Sequence, residues 1–585
     1  MIQSPGRRLP LVNHLPDVCC CRFRLPDRAP GDLPAQALPI IGRLGAHLLT
    51  ELLVRGGLGE RLPQAKLFSD VAVQLAGAWP GEAGPRQQTP GSGDPRQQAP
   101  IEESPAVNAI QVWNAGAAEG RRATVLHGWY RFQAPDANLK DGTERVQAAV
   151  LAINRSLAMA NDVLRSRARE QDGEVPSLEG LELLAVTPCW LTAAGQEGHV
   201  GAGPGVPPEP LADRSSAWRP SYSFGGAAAE LADADGEGVV VAILDTRPEA
   251  AELLAAAQGF QPPHAFMLEA LERVRFGGLA RTDPALAAVE HLVAGWEAGD
   301  PGGSALGYAM PDHGLFVAGL ILGAAPGARI HLLRALSDQG VGDLQTLTAL
   351  LGQARGLADA AGQRLIVNLS LVAAIPTEAE LERSHRPLRG PARRLAEAEG
   401  GDSGLPPLRS LLGGPLMDAV GALVQDGVLV IASAGNDARP GGARPEPRLP
   451  ARDDRVLAVG AVGRAGQAAS FSNAADAQVL GNGVAAFGGD ASWAAGVARL
   501  AADDGLVGLH STGAAPITGA AVPTGWVTWA GTSFAAPMAT ALAARLWSRR
   551  PELTAPQVLT AVRALATGGD VADLLAPRLP IEQVV

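Results

Sequence analysis

Residues 529–546 read WAGTSFAAPMATALAARL. Gly531, Thr532, Ser533, Phe534 and Pro537 crowd together, and an Ala/Leu-rich run follows them. The run predicts a buried helix, with Gly531, Thr532 and Ser533 at its mouth, where a cap belongs. The same group suits a second role, with Ser533 as a nucleophile where the helix dipole favours negative charge. That role demands a base, an orienting acid and an oxyanion donor elsewhere in the chain. Pro537, four residues after Ser533, is placed in the first turn, where a missing N–H costs little.

The chain has 585 residues, too many for one core, so two or three domains are expected. Its 46% apolar and 18% charged residues describe a globular protein. A net charge of −12 argues against a nucleic-acid partner, which usually needs a basic face. Lysine occurs only at Lys66 and Lys140. That excludes the phosphate loop G-x-x-x-x-G-K and a Ser/Lys dyad from everything after residue 140. Cys19, Cys20 and Cys21 are contiguous and Cys189 is remote, which suits neither a disulfide framework nor a zinc knuckle. No early apolar run resembles a signal peptide, and LPIIGRLGAHLLTELLV (38–54) is broken by Arg43, His47 and Glu51. An amphipathic helix is expected there, and a soluble, cytoplasmic protein with no membrane partner.

Composition divides the chain further. Residues 1–80 read as an N-terminal extension, Pro/Arg-rich and irregular to residue 34, then partly helical. Residues 81–105 repeat PRQQ among Gly and Pro, a linker by composition. Residues 106–195 read as a small α/β domain, with strands at ATVLHGWYRF and LELLAVTPCWL and helical spacing from Val146 to Leu164. Residues 196–224 form a second linker, 225–575 the main domain and 576–585 a tail. In the main domain VVVAIL (239–244), ARIHLL (328–333), RLIVNLSL (364–371), VLVIASAG (428–435) and VLAVGAV (456–462) are fully apolar runs. Helical stretches such as 343–361 and 414–425 lie between them. The alternation predicts an α/β fold, a mostly parallel sheet with helices on both faces. Ligands of such sheets bind beyond the carboxyl ends of the strands.

Those ends carry chemistry. Asp245 ends VVVAILD, His313 sits in PDHGLFVAG, Asn436 closes VLVIASAGN, and Ser533 opens the last helix. Singly, each has an ordinary structural explanation as a turn, core or cap residue. Together they supply an acid, a base, an oxyanion donor and a nucleophile, each in a Gly-flanked context. In this order the set resembles the subtilisin-like serine proteases (subtilases), over roughly residues 225–570, with GTSFAAP and SAGND the most specific blocks. The resemblance implies a subtilisin-like three-layer domain preceded by the small α/β domain. It implies a serine endopeptidase acting on protein or peptide through Asp245, His313 and Ser533 as triad and Asn436 as oxyanion donor. It also implies a substrate groove between Gly340, Val341 and Gly342 on one side and Ser370, Leu371 and Val372 on the other. No cofactor or metal is expected, since the chemistry needs neither and the segment after Gly319 lacks the Asn-rich loop that holds calcium in many members.

The chain departs from the family in places. The family has Gly two residues after the aspartate, where this chain has Arg247 followed by Pro248, which favours extended backbone at Arg247. Leu315 and Phe316 replace a polar pair after the histidine, and SLVA replaces SLGG. Insertions are expected as helices around 249–275 and 284–297, and as a charged surface element near 376–412. Two alternatives stay open: a catalytically impaired pseudoprotease that binds peptides or acts as a scaffold, and an acidic sedolisin-like enzyme, which His313 and Asn436 oppose. Residues 106–195 fit either an inhibitory propeptide, acting within the molecule, or a permanent recognition domain.

Overall fold

The computed structural model describes residues 14–26, 30–33, 37–55, 110–131, 150–194, 206–297, 309–359, 364–375 and 408–584, short breaks within these spans excepted. The linker at 81–105 and most of the charged insertion near 376–412 lie outside the described residues.

A seven-stranded sheet forms the centre, in the order Gly483–Phe487, Leu457–Val462, Leu429–Ser433, Arg364–Leu369, Val239–Asp245, Arg329–Arg334 and Val274–Gly278. Every neighbouring pair is parallel. Parallel strands are covered on both faces, which is why the apolar runs show no alternation. Val239–Asp245 is buried at every position. Two helix pairs pack against the sheet: His313–Ala324 with Thr532–Arg549, and Leu344–Asp359 with Leu408–Gln425. The two edge strands, Val274–Gly278 and Gly483–Phe487, were not among the apolar runs read from sequence. The insertion after Asp245 holds the expected helices, Ala250–Gly259, Ala265–Arg273 and Pro284–Glu297.

Both outer boundaries of the main domain move outward. Glu209–Pro210 pairs with Trp526–Trp529, and Ser221–Phe224 pairs with Ile581–Val584. Parts of the second linker and of the C-terminal tail are therefore strands of this domain.

A second, antiparallel sheet runs Ile110–Ala118, Arg121–Arg131, His14–Pro26 and Glu182–Ala193. The irregular chain expected before residue 34 is thus corrected: His14–Pro26 is a central strand. Its pattern hides in sequence because both faces are buried. Cys19, Cys21, Phe23 and Leu25 face one core, which includes residues of the helices Ala37–Arg55 and Leu157–Glu170. Val18 and Cys20 join the core of the main domain. Three consecutive cysteines act here as small buried residues on alternating faces. One sheet therefore joins segments from both sides of the 81–105 linker.

This N-terminal unit docks on the Leu344–Asp359 and Leu408–Gln425 helices. The Arg22 guanidinium grips the Asp418 carboxylate at 2.8 and 2.9 Å, a two-point contact. His127 Nε2 lies 3.0 Å from Asp418 Oδ2, and the Trp113 indole N–H donates to His127 Nδ1 at 3.0 Å. Nδ1 is therefore the acceptor, and the proton of the neutral ring sits on Nε2, facing Asp418. Gln111 adds bonds to the Gln345 carbonyl and the Thr348 hydroxyl.

Burial pushes His127 below its ordinary value of 6.5. For Asp418 burial alone would raise the carboxyl, but Arg22 and His127 hold it below its ordinary 3.8. Both groups bind fewer protons docked than undocked, so docking is strongest at neutral pH. The His127 contribution is full above about 6.5 and falls as pH drops toward the depressed docked value. The Asp418 contribution is lost only below the ordinary carboxylate range. Hydrogen exchange of the Arg121–Arg131 amides, corrected for intrinsic rates, is expected to show less protection at about pH 5.5 than at about pH 7.5. His127→Gln keeps an acceptor and a donor without a titration, and its protection should stay level over that range.

Candidate active site

Asp245 is the last residue of its strand, at the carboxyl edge of the sheet. Its Oδ1 accepts the Thr246 N–H at 2.6 Å and lies 2.7 Å from His313 Nδ1. The Asp245 carbonyl accepts the N–H groups of Ala335 and Leu336, which fixes the end of the strand. The Thr246 hydroxyl donates toward the carbonyls of Met310 and Pro311 and accepts the Gly314 N–H at 3.1 Å. The helix start is thereby tied to the strand end. Gly314 is required by this close approach, because a Cβ there would stand 2.1 Å from the Thr246 carbonyl oxygen.

His313 opens the buried helix His313–Ala324. Its ring packs edge-on to Trp529, with centroids 5.6 Å apart, and against Phe534 at 5.2 Å. Its Nε2 has no hydrogen-bond partner. Phe316, in place of the family's polar residue, packs on the same two rings.

Ser533 is the second residue of the helix Thr532–Arg549. Its hydroxyl donates to the Ser370 carbonyl at 3.2 Å, and the Ser370 hydroxyl donates to the Ser533 carbonyl at 2.7 Å. Pro537 explains why that carbonyl is available. It lies one turn deeper than the first-turn place expected from sequence, at the position whose N–H would otherwise bond the Ser533 carbonyl. With no N–H at 537, Ser370 takes the acceptor. The chain of bonds continues, as Asn368 donates to the Ser370 hydroxyl at 3.0 Å and Thr540 donates to Asn368 at 2.9 Å.

Asn436 Oδ1 accepts both the N–H and the hydroxyl of Thr532, at 3.0 and 2.9 Å. Two donors fix the oxygen end, so the amide NH₂ is the donating end of this side chain. The turn that carries it needs Gly435, whose φ is +108°. Asn473 braces that turn: its N–H donates to the Gly435 carbonyl, and its side chain bonds both the N–H and the carboxylate of Asp437. Arg448 grips the same carboxylate at 2.8 Å.

The Arg247–Pro248 turn leaves Asp245 aimed at His313, and Arg334 supplies the reason. Arg334 pairs with Asp245 in the neighbouring strand, and its side chain is fully buried. Its guanidinium donates to the Arg247 carbonyl, and also to Glu249 at 3.0 Å and Asp338 at 2.7 Å. A planar fork thus holds in place the turn that glycine shapes in the family.

The structure brings Asp245 and His313 into hydrogen bond and sets Asn436 and Ser533 on either side of Thr532. The Ser533 hydroxyl is turned to Ser370 and not to His313 Nε2. Asp245, His313 and Ser533 are all fully buried. The two expected groove segments do face each other, with a strand between them. Val341–Asp343 and Val372–Ala373 both pair antiparallel with the end of Glu182–Ala193. Thr246, Arg334, Asn368 and Asn473 were not singled out from sequence. Asn368, polar inside the apolar run RLIVNLSL, is the one with a readable signal. Among the described residues no group of three or more His, Cys, Asp or Glu side chains is placed to hold a metal ion, and no helix is long and apolar enough to cross a membrane.

Fold and family match together define a serine-type peptidase of the α/β class. The chain belongs to the subtilase family, whose family model matches residues 236–574. Among solved structures it is similar to the prenylagaramide maturation protease PagA (20% identity, TM-score 0.33, covering 60% of this chain and 94% of that one). It is also similar to the patellamide maturation protease PatA (23%, TM-score 0.34, 59% and 94%) and to a cold-adapted subtilisin-like serine proteinase (20%, TM-score 0.33, 60% and 89%). No curated protein matches it.

Arg334→Gln leaves Glu249, Asp338 and the Arg247 carbonyl without their buried cation. The expected cost is about 3 kcal/mol, toward the low end for a broken buried pair because both carboxylates are partly exposed. Urea unfolding measures it. Arg281→Gln, which removes a half-exposed partner of the same network, should cost no more than about 1 kcal/mol.

Proposed function

We propose that this subtilase is a serine endopeptidase with Asp245, His313 and Ser533 as its triad and Asn436 as side-chain oxyanion donor, held closed by its own N-terminal unit. The observation that carries the catalytic reading is the 2.7 Å contact of two buried side chains, Asp245 and His313, which leaves Nε2 unpartnered. A hydrogen bond from Nδ1–H to Asp245 puts the lone pair of the neutral ring on Nε2, the form a general base needs.

In the reaction Ser533 Oγ attacks the scissile carbonyl and gives its proton to His313 Nε2. The oxygen of the tetrahedral intermediate takes bonds from the Asn436 amide and the Ser533 backbone N–H, one of the donors left unpaired by the first helical turn. His313 then protonates the leaving amine, and the acyl-enzyme forms. Water attacks that ester as His313 takes one of its protons, which returns to Ser533 Oγ as the acid product departs. Asp245 stabilises the imidazolium in both steps.

The closed state is supported by the groove itself. Leu191, Thr192, Ala193 and Ala194 run between its two walls as an extended peptide substrate would, and all four are buried. This favours the inhibitory reading of the N-terminal unit over a permanent recognition domain.

A fluorophosphonate probe is expected to label the wild-type full chain at Ser533 and to leave Ser533→Ala blank, as read by peptide mass spectrometry. Equal labelling of the two would sink the triad. For Asn436→Ala the expected loss is about 10²–10³ in kcat, the size measured in this family for one oxyanion donor.

A further inference from the structure

Asp312, the residue before His313, is buried, and its side chain turns away from its own helix. An aspartate at an N-cap ordinarily accepts an N–H of the first turn. The Asp312 side chain makes no such bond. The Gly314 N–H goes to the Thr246 hydroxyl instead, which leaves the Asp312 carboxylate for another partner. That partner is the segment after the strand Leu506–Leu509. Oδ2 accepts the N–H groups of Ser511 and Thr512 at 2.8 and 3.0 Å, and Oδ1 accepts the Ser511 hydroxyl at 2.6 Å. Each of these bonds is strengthened by the charge of the acceptor. His510 closes the side, with its Nδ1 3.5 Å from Asp312 Oδ2. Two of the three donors are backbone groups, so the clasp places main chain and not a flexible side chain.

The clasped segment belongs to a ribbon that also touches the imidazole. Leu506–Leu509 pairs antiparallel with Trp526–Trp529, and the His510 N–H donates to the Gly525 carbonyl at 3.0 Å. Trp529 packs on the His313 ring, and a Cβ on Gly508 would stand 2.6 Å from the Phe316 ring. The ribbon therefore meets the His313 helix at Asp312, at the ring of His313 and at Phe316, one turn on. Packing of rings is not directional and tolerates sliding. The Asp312 bonds are directional, so they set the height of the helix along the ribbon. His313 is thus held between two ties, Thr246 toward the Asp245 strand and Asp312 toward the ribbon. With Leu315 and Phe316 in place of the family's polar pair, the polar anchor lies before the histidine and not after it.

We propose that Asp312 is a positioning residue, whose clasp on Ser511 and Thr512 sets where the His313 imidazole stands relative to Asp245. It acts through His313 and touches no reacting atom. Without the clasp, the start of the helix shifts against the strand that carries Asp245. A misplacement of about 1 Å at a reacting group costs about 10²-fold in rate. The proposal rests on His313 being the base of the proposed triad.

Two readouts on the full chain test it. The first is the downfield proton resonance of His313 Nδ1–H, assigned by its absence from His313→Gln. It should persist in Asp312→Asn, whose amide oxygen still accepts the two N–H groups while its NH₂ meets a hydroxyl able to accept. In Asp312→Ala it should be lost. The second readout is the rate at which a fluorophosphonate labels Ser533. Asp312→Ala should slow labelling at least about tenfold, and Asp312→Asn less than about threefold. In a His313→Ala background, Asp312→Ala should change the residual rate less than about twofold, because a residue that acts through the histidine has nothing left to act on. A loss caused by damage to the fold would recur in that background. The proposal is overturned if Asp312→Ala keeps both the resonance and the wild-type rate, or if its slowing recurs without His313. Labelling of Ser533→Ala equal to wild type would instead sink the triad, and the resonance would still report on Asp312, so the two failures are distinguishable.

Discussion

Burying a carboxylate completely is costly unless new bonds replace those that water gave up, and Asp245 sits under that constraint with its Oδ2 left unpartnered. Its Oδ1 is satisfied by the next peptide N–H and by His313, and those two bonds dictate the surrounding geometry. The histidine ring must reach the strand end, so its helix must start against the strand. That start demands glycine at 314, and the Thr246 hydroxyl ties the two segments together. On the far side of the ring, Trp529 and Phe534 hold the imidazole plane. The tight cluster at the sheet edge follows from one desolvated charge.

The second constraint is backbone hydrogen bonding. A groove that grips an extended peptide is made of two segments with unpaired N–H and C=O groups, and such edges invite pairing with any strand at hand. Here the partner is the last strand of the N-terminal unit, which extends its own sheet into the groove. In the proposed enzyme the same ladder is the one that would bind substrate. The N-terminal unit is not held by the groove alone, since Arg22 and His127 fasten it to Asp418 on the Leu408–Gln425 helix. Pairing in the groove supplies register, and the docked face supplies much of the hold.

Much of this was legible in the sequence, for identifiable reasons. Buried parallel strands read as unbroken apolar runs, so five of the seven central strands were visible, and strand ends pointed to Asp245 and Asn436. His14–Pro26 was not legible, because burial on both faces removes alternation and its cysteines suggest chemistry before packing. The outer strands at 221–224 and 581–584 were too short and mixed to stand out from a linker and a tail. Residues that act through others, such as Arg334 and Asn473, carry no motif. Arg334 lies in RIHLLRAL as one charge among many, and only the ladder brings it beside Asp245. The misplacing of Pro537 by one turn had a consequence, since the real position explains how Ser370 reaches the Ser533 carbonyl.

That last contact links binding to chemistry in the proposed enzyme. At rest the Ser533 hydroxyl leans on the Ser370 carbonyl, 3.2 Å away, and makes no bond to His313 Nε2. In the ladder that holds Leu191–Ala194, Leu191 bonds Ala374, so alternate pairs along this wall are the hydrogen-bonded ones. Ser370, four residues before Ala374, belongs to the same alternating set. A substrate residue arriving opposite Ser370 therefore brings its N–H to the carbonyl on which Ser533 rests. A second donor at one carbonyl weakens the first, and in the proposed triad the freed hydroxyl turns to the unpartnered Nε2. Correct register along this wall thus bears on the nucleophile without any shift of the helix. A peptide that binds out of register leaves Ser533 on Ser370, where its proton has no base to receive it.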